Sequence, residues 1–253
     1  MRTELHFHLL PDVDDGPRDD REAIELASLA VADGTRRVVA TPHVSQTDLR
    51  TLAGRVQALR RVLAEAGVAL HVAAGGELSP TDVAGLAQRE LELVAQGPPD
   101  TRWLLLEAPL YHDPLGLRAA AEELRARGFG VLIAHPERSD GLILEELGRH
   151  AERSSPVQIN ATSLAGLHGP GAARLALTIA GSGLPFVVAS DAHSPERPPM
   201  LSQAAASLAA AGIDPVLIRA AVDTGPAELF ERGRLTFGST QLQFASPARR
   251  RAA

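Results

Sequence analysis

Cysteine and lysine are both missing from this 253-residue chain, and aromatic side chains make up only 3% of it. Without cysteine there can be no disulfide, no thiolate metal ligand and no mechanism that starts from a sulfur nucleophile. All 25 basic residues are arginine, a bias that GC-rich coding produces. No apolar run approaches the roughly 18 residues of a membrane-spanning helix, so direct membrane insertion is not expected. No basic, apolar and small-residue leader precedes the first strand, and the expected compartment is the cytoplasm. The 31 acidic residues outnumber the basic ones and give a net charge of −6. That balance leaves no broad basic face for a nucleic-acid backbone, and no nucleic-acid partner is expected.

The chain does contain a regular alternation of short apolar runs and amphipathic segments. The runs at 3–8, 37–43, 68–77, 102–107, 129–135, 157–162 and 184–191 are rich in Val, Ile, Leu and Ala, as strands buried on both faces are. Segments of helical periodicity separate them, among them 21–33, 48–67, 79–96, 115–128, 142–153 and 172–183, with 202–211, 215–222 and 226–232 closing the chain. Strict alternation predicts an α/β fold with parallel strands, but does not decide whether the sheet is open or closed. Composition shifts nowhere, so 1–253 is read as a single domain; LTFGSTQLQF near its end has weak strand character, and 240–253, which carries Arg249–Arg251, is expected as a flexible tail.

The chemistry collects where the strands end. His6 and His8 alternate with Phe7 and share one face of the first strand, about 7 Å apart. Later strands end on or just before His43, Glu77, Glu107, His135, Asn160 and Asp191 with His193. Parallel α/β folds bring such ends to one rim, where sites form. Five of the nine histidines fall in this set. Imidazole and carboxylate without thiolate suit manganese, iron or zinc. The donors, with one of Asp14 and Asp15, exceed one ion's needs, and bridging by Glu77 or Asp191 would hold two or three. Such clusters lower the pKa of a bound water and clamp phosphoryl oxygens, which points to phosphoester hydrolysis.

In order, HFHLLPDVDDGP, ATPH, GGE, LLLE, AHPER and ASDAH resemble the polymerase and histidinol phosphatase (PHP) superfamily. The opening is similar to that of the bacterial manganese-dependent protein-tyrosine phosphatases of capsule and exopolysaccharide synthesis. The likeness runs from Glu4 to Arg232, including GPAELFERG. It implies a distorted (β/α)7, TIM-like barrel and three divalent ions, manganese first, with iron or zinc as alternatives. His6, His8, Glu77 and Asp191 would hold one ion; Glu77, Glu107 and His135 a second; Asp15, His43 and His193 a third. It also implies attack by a metal-bound hydroxide. The partner would be a phosphotyrosine-bearing protein tail, that of a membrane tyrosine kinase of polysaccharide export. The alternatives are a histidinol-phosphate or other small-molecule phosphatase, and a nucleic-acid-associated PHP exonuclease or scaffold.

Arg138, three residues past His135, and Arg197, four past His193, are assigned to phosphate binding by the same resemblance; the plain alternative is surface pairing with Glu137 and Glu196. Asp14 reads as a loop-capping acid. His71 reads as a core histidine, His150 and His168 as surface residues and Trp103 as core. His112 could line the site, Tyr111 could stack on an aromatic substrate, and Asn160 could hydrogen-bond to a ligand.

Overall fold

The computed structural model describes residues 2–111, 113–141 and 144–244. His112, considered above for the site, lies outside these residues. Strands β1 (Arg2–Phe7), β2 (Thr35–Ala40) and β3 (His71–Ala74) form one parallel sheet in that order. Strands β4 (Glu77–Leu78), β5 (Trp103–Glu107), β6 (Gly130–Ala134), β7 (Val157–Asn160) and β8 (Phe186–Ala189) form a second. Single parallel bridges join the two sheets at both margins. Phe7 pairs with Ala192 beside β1 and β8, and His43 pairs with Glu77 between β2 and β4. The His8 amide donates to Ala192 O at 2.9 Å, and the Glu77 amide to Pro42 O at 3.0 Å. Among the described residues the ring closes through these bridges, past the ends of β1, β2 and β8 and at the start of β4, a distorted barrel rather than a regular one.

The helices clothe this ring: α1 (Asp20–Ala32), α2 (Leu52–Glu65), α3 (Gln88–Val94), α4 (Pro114–Ala126), α5 (Leu144–Glu152), α6 (Ala161–Leu164), α7 (Gly169–Gly181), α8 (Leu201–Ala210), α9 (Pro215–Arg219) and α10 (Gly225–Arg232). Asp19 caps α1 by accepting from the Glu22 amide at 2.9 Å, and Asp113 caps α4 by accepting from Gly116, with Pro114 in the first turn. No helix among the described residues is long and apolar enough to cross a membrane.

Three expectations are corrected. The strand read as 68–77 is two, β3 and β4, broken at Gly75 and Gly76. These glycines are required by close approach: a Cβ on Gly75 would lie 2.6 Å from Val39 Cγ1, and one on Gly76 2.8 Å from Val44 Cγ2. The helix read as 79–96 is only α3 with a short turn before it, because the Asp82 carboxylate bonds back to the Ser79 amide at 2.8 Å. Of the flexible tail expected at 240–253, the described part, 240–244, is ordered, and 245–253 lie outside the described residues. Strand β9 (Arg234–Phe237) pairs antiparallel with β10 (Thr240–Gln243), and Phe244 beyond it is buried against Gly130.

Candidate metal centre

Residues that follow the strands meet at one mouth. His6 and His8 come from β1 and its end, and both are fully buried. Glu77 opens β4, His135 follows β6, and Asp191 and His193 follow β8; each is at most 3% exposed. His135 and Asp191 adopt left-handed backbone conformations, with φ of 32° and 52°. For residues with a Cβ this is uncommon, and such strain concentrates at functional sites.

Two groups of donors result. His6, Glu77, His135 and Asp191 bring one ligand atom each within 4.8 Å of one another, and so do His8, Asp15, His43 and His193. The groups abut. The Nε2 atoms of His6 and His8 are 3.2 Å apart, and Glu77 Oε2 lies 3.3 Å from both and 3.2 Å from His43 Nδ1. Its other oxygen accepts from His135 Nε2 at 2.9 Å. Asp191 Oδ1 stands 3.1 Å from His6 Nε2, and Asp15 Oδ1 3.2 Å from His193 Nε2. His8 thus sits with Asp15, His43 and His193, whereas the resemblance groups it with His6. Glu107 lines the same cavity of about 140 Å3, outside both groups.

The donor chemistry fits bound cations. His6 Nδ1 faces Gln158 Oε1 at 2.9 Å, His8 Nδ1 faces Asp14 Oδ2 at 2.6 Å, and His193 Nδ1 faces the Asp191 carbonyl at 2.8 Å. Each Nδ1 therefore donates to an oxygen, which turns Nε2 into the mouth, where it can serve as a ligand once it carries no proton. Two such Nε2 atoms facing each other at 3.2 Å, next to buried carboxylates, are accounted for by a shared positive charge between them.

Electrostatics agrees. Burial opposes ionisation of Glu77 and Asp191, but the surrounding imidazoles outweigh it and hold both well below the usual carboxylate range. The hydrogen bond from His193 is the main reason Asp15 is also held low. Burial depresses the basicity of His8, yet Asp14 and Glu77 overcome that and raise its pKa to about 10. Glu107 differs: burial and the charge of Glu77 push its carboxyl up, so a cation nearby would restore its ionised form.

Both arginines face the site. Arg138 donates to Asp191 Oδ2 at 2.9 Å and Arg197 to the same oxygen at 3.2 Å. Asn160 donates to it as well, at 2.8 Å. The surface-pairing alternative is not what forms: Glu137 is buried and accepts from the Asn160 amide, and Glu196 is exposed.

Sequence reasoning undervalued Asp14, which orients His8 and also accepts from the His43 amide at 2.9 Å. It missed Gln158, which stands two residues before Asn160 on the same strand face, so the period of two could have found it. Trp103 is core, with its indole N–H donating to Leu229 O at 3.1 Å. His71 is exposed instead of core, because β3 begins there at the rim of the sheet. His150, expected on the surface, is buried beside Arg125, and its pKa falls to about 4 through burial and the Arg125 charge. His168 is half-buried and bonded to Ser163 at 2.9 Å.

The family model described as capsular polysaccharide synthesis, CpsB/CapC, matches residues 2–214. The chain belongs to this family. It is 34% identical over 210 residues to CapC of Staphylococcus aureus, covering 79% of this chain and 81% of that one. It is 31% identical over 203 residues to the tyrosine-protein phosphatase YwqE of Bacillus subtilis (strain 168), covering 76% and 77%. Among solved structures, one from a study of Bacillus subtilis YwqE and Streptococcus pneumoniae CpsB, described as metal-dependent tyrosine phosphatases, superposes with a TM-score of 0.80. Its identity is 28%, over 96% of this chain and 98% of that one. The phosphotriesterase homology protein of Escherichia coli shares the fold alone, with a TM-score of 0.63 at 13% identity over 90% and 98%.

Proposed function

We propose that this protein is a metal-dependent protein-tyrosine phosphatase. The observation that carries the reading is the pair of Nδ1-anchored imidazoles, His6 and His8, whose Nε2 atoms converge on Glu77 and Asp191. Relatives named as tyrosine-protein phosphatases support the substrate class. The ligands are His6, His8, Asp15, His43, Glu77, Glu107, His135, Asp191 and His193, holding three divalent ions, manganese in preference to iron or zinc. When bound, the ions supply Lewis acidity toward a phosphoryl oxygen and acidify a coordinated water.

The rest is done by the chain. Arg138 and Arg197 present planar forks that grip phosphoryl oxygens and offset charge as the ester bond breaks. Asp191 Oδ2 holds both guanidinium groups at the mouth, and Asn160 keeps that carboxylate in place. Asp14 and Gln158 fix the tautomers of His8 and His6. The substrate is phosphotyrosine in the tail of a membrane tyrosine kinase of polysaccharide export, met in the cytoplasm.

Protein supplied with manganese is expected to hydrolyse para-nitrophenyl phosphate and a phosphotyrosyl peptide. His135→Ala and Asp191→Ala are each expected to lower turnover by more than about 100-fold. Full activity in either variant would contradict the site. Turnover of histidinol phosphate far above that of the peptide would contradict the substrate.

A further inference from the structure

The metal cavity is small. At about 30 Å3 per liquid water, its volume of about 140 Å3 equals some four or five waters. That space suits a phosphoryl group but not the residues on either side of a phosphotyrosine. A second cavity of about 520 Å3 adjoins it, and the two share Leu110 and Arg138.

One wall of this neighbour is the loop after β6. It is tied to the loop after β5, for the Asp140 amide donates to Leu110 O at 2.8 Å and Ser139 Oγ bonds to Pro109 O. The opposite wall is the first turn of α7, where Gly171 and Ala172 present almost no side chain. A Cβ on Gly171 would meet nothing within 4 Å. The exposed charge of this wall is that of Asp140: the Arg138 guanidinium is turned to Asp191, and Glu137 lies buried behind, where burial pushes its carboxyl up. Leu110, 44% exposed, forms an apolar sill between the two spaces.

The geometry points to a substrate groove: polypeptide next to the phosphotyrosine crosses Leu110 and lies on Gly171 and Ala172. Its neighbouring side chain is basic or neutral, facing Asp140, and acidic neighbours are disfavoured. This rests on the phosphatase reading above and names what that site selects beyond the phosphoryl group. Continuity with the metal cavity fixes the occupant, since a chain anchored by its phosphate at Arg138 must leave through some adjoining space, and this one is open and shallow-walled.

The test uses the full chain with manganese, para-nitrophenyl phosphate as the small substrate, and phosphotyrosyl peptides carrying Arg or Glu beside the phosphotyrosine on either side. The unaltered chain is expected to favour Arg-flanked over Glu-flanked peptide. Gly171→Phe, at a helical position with open space, is expected to lower the ratio of peptide to small-substrate kcat/KM about tenfold, through the peptide KM. Asp140→Arg is expected to reverse the Arg-over-Glu preference. A ratio unmoved by Gly171→Phe, or a preference unmoved by Asp140→Arg, overturns the groove while leaving the phosphatase intact. Failure of the unaltered chain to turn over either substrate class overturns both.

Discussion

Asp191 shows how one residue can be held by several others at once. Its Oδ2 accepts from Arg138, Arg197 and Asn160, while its Oδ1 faces His6. From Asn160 the bonds continue inward. Gln158 Nε2 donates to Asn160 Oδ1 at 2.7 Å, and Gln158 Oε1 accepts a hydrogen bond from His6 Nδ1. Neither amide can flip without losing a bond, so the chain of contacts selects the His6 tautomer whose Nε2 is free. Gln158→Leu keeps the volume close and removes the relay. Manganese affinity is expected to fall about 10- to 100-fold, read by titration of chelator-stripped protein, with the unfolding midpoint of the metal-free form shifted far less. At this scale most ligands were legible because they stand at or just past a strand end; Asp15, in the loop after β1, and Glu77, which opens β4, are the exceptions to that placement. Gln158 was not legible, since glutamine carries no ligand signal of its own. His71 and His150 were misread for a related reason: whether a lone imidazole is buried depends on which element covers it, and sequence spacing says nothing of that.

Among the elements, the break between β3 and β4 is the one that positions a ligand. A continuous strand through 71–78 would carry Glu77 along β2. The Gly75–Gly76 interruption instead lets Val39, Val44 and Val94 press on the backbone, while the Glu77 amide pairs with Pro42 O. A methyl on Gly76 would stand 2.8 Å from Val44 and 2.9 Å from Val94, both buried. Gly76→Ala is therefore expected to cost about 1–3 kcal/mol of stability, read as a lower urea midpoint. An unchanged midpoint would mean that the valines have room to give. The sequence announced the double glycine but not its cause, because the atoms that crowd it come from segments some 20 to 40 positions away. Strand existence was legible throughout from the apolar runs. The shortened α3 was not, since local bonds at Asp82 decided it, and the β9–β10 hairpin showed only as weak strand character in LTFGSTQLQF, because burial of Phe244 lies outside periodicity.

The molecule as a whole is a ring of parallel strands drawn shut at one end, with buried carboxylates and imidazoles at the closure. The alternating pattern made the parallel α/β character legible, while closure rests on two single bridges, Phe7 to Ala192 and His43 to Glu77, too slight to leave a sequence signature. Glu77 and Asp191 are ionised and buried together, and when no cation is bound imidazolium protons balance them together with the guanidinium groups of Arg138 and Arg197 on Asp191. Metal would displace those protons, so affinity is expected to rise with pH as His8, whose pKa stands near 10, gives up its charge more readily. The decisive measurement is the metal content per chain of protein purified without chelators, equilibrated with manganese and freed of unbound ion. About three ions per chain are expected, with loss of most of them in Asp191→Ala; fewer than one per chain, in protein that remains folded, would contradict the metal centre outright.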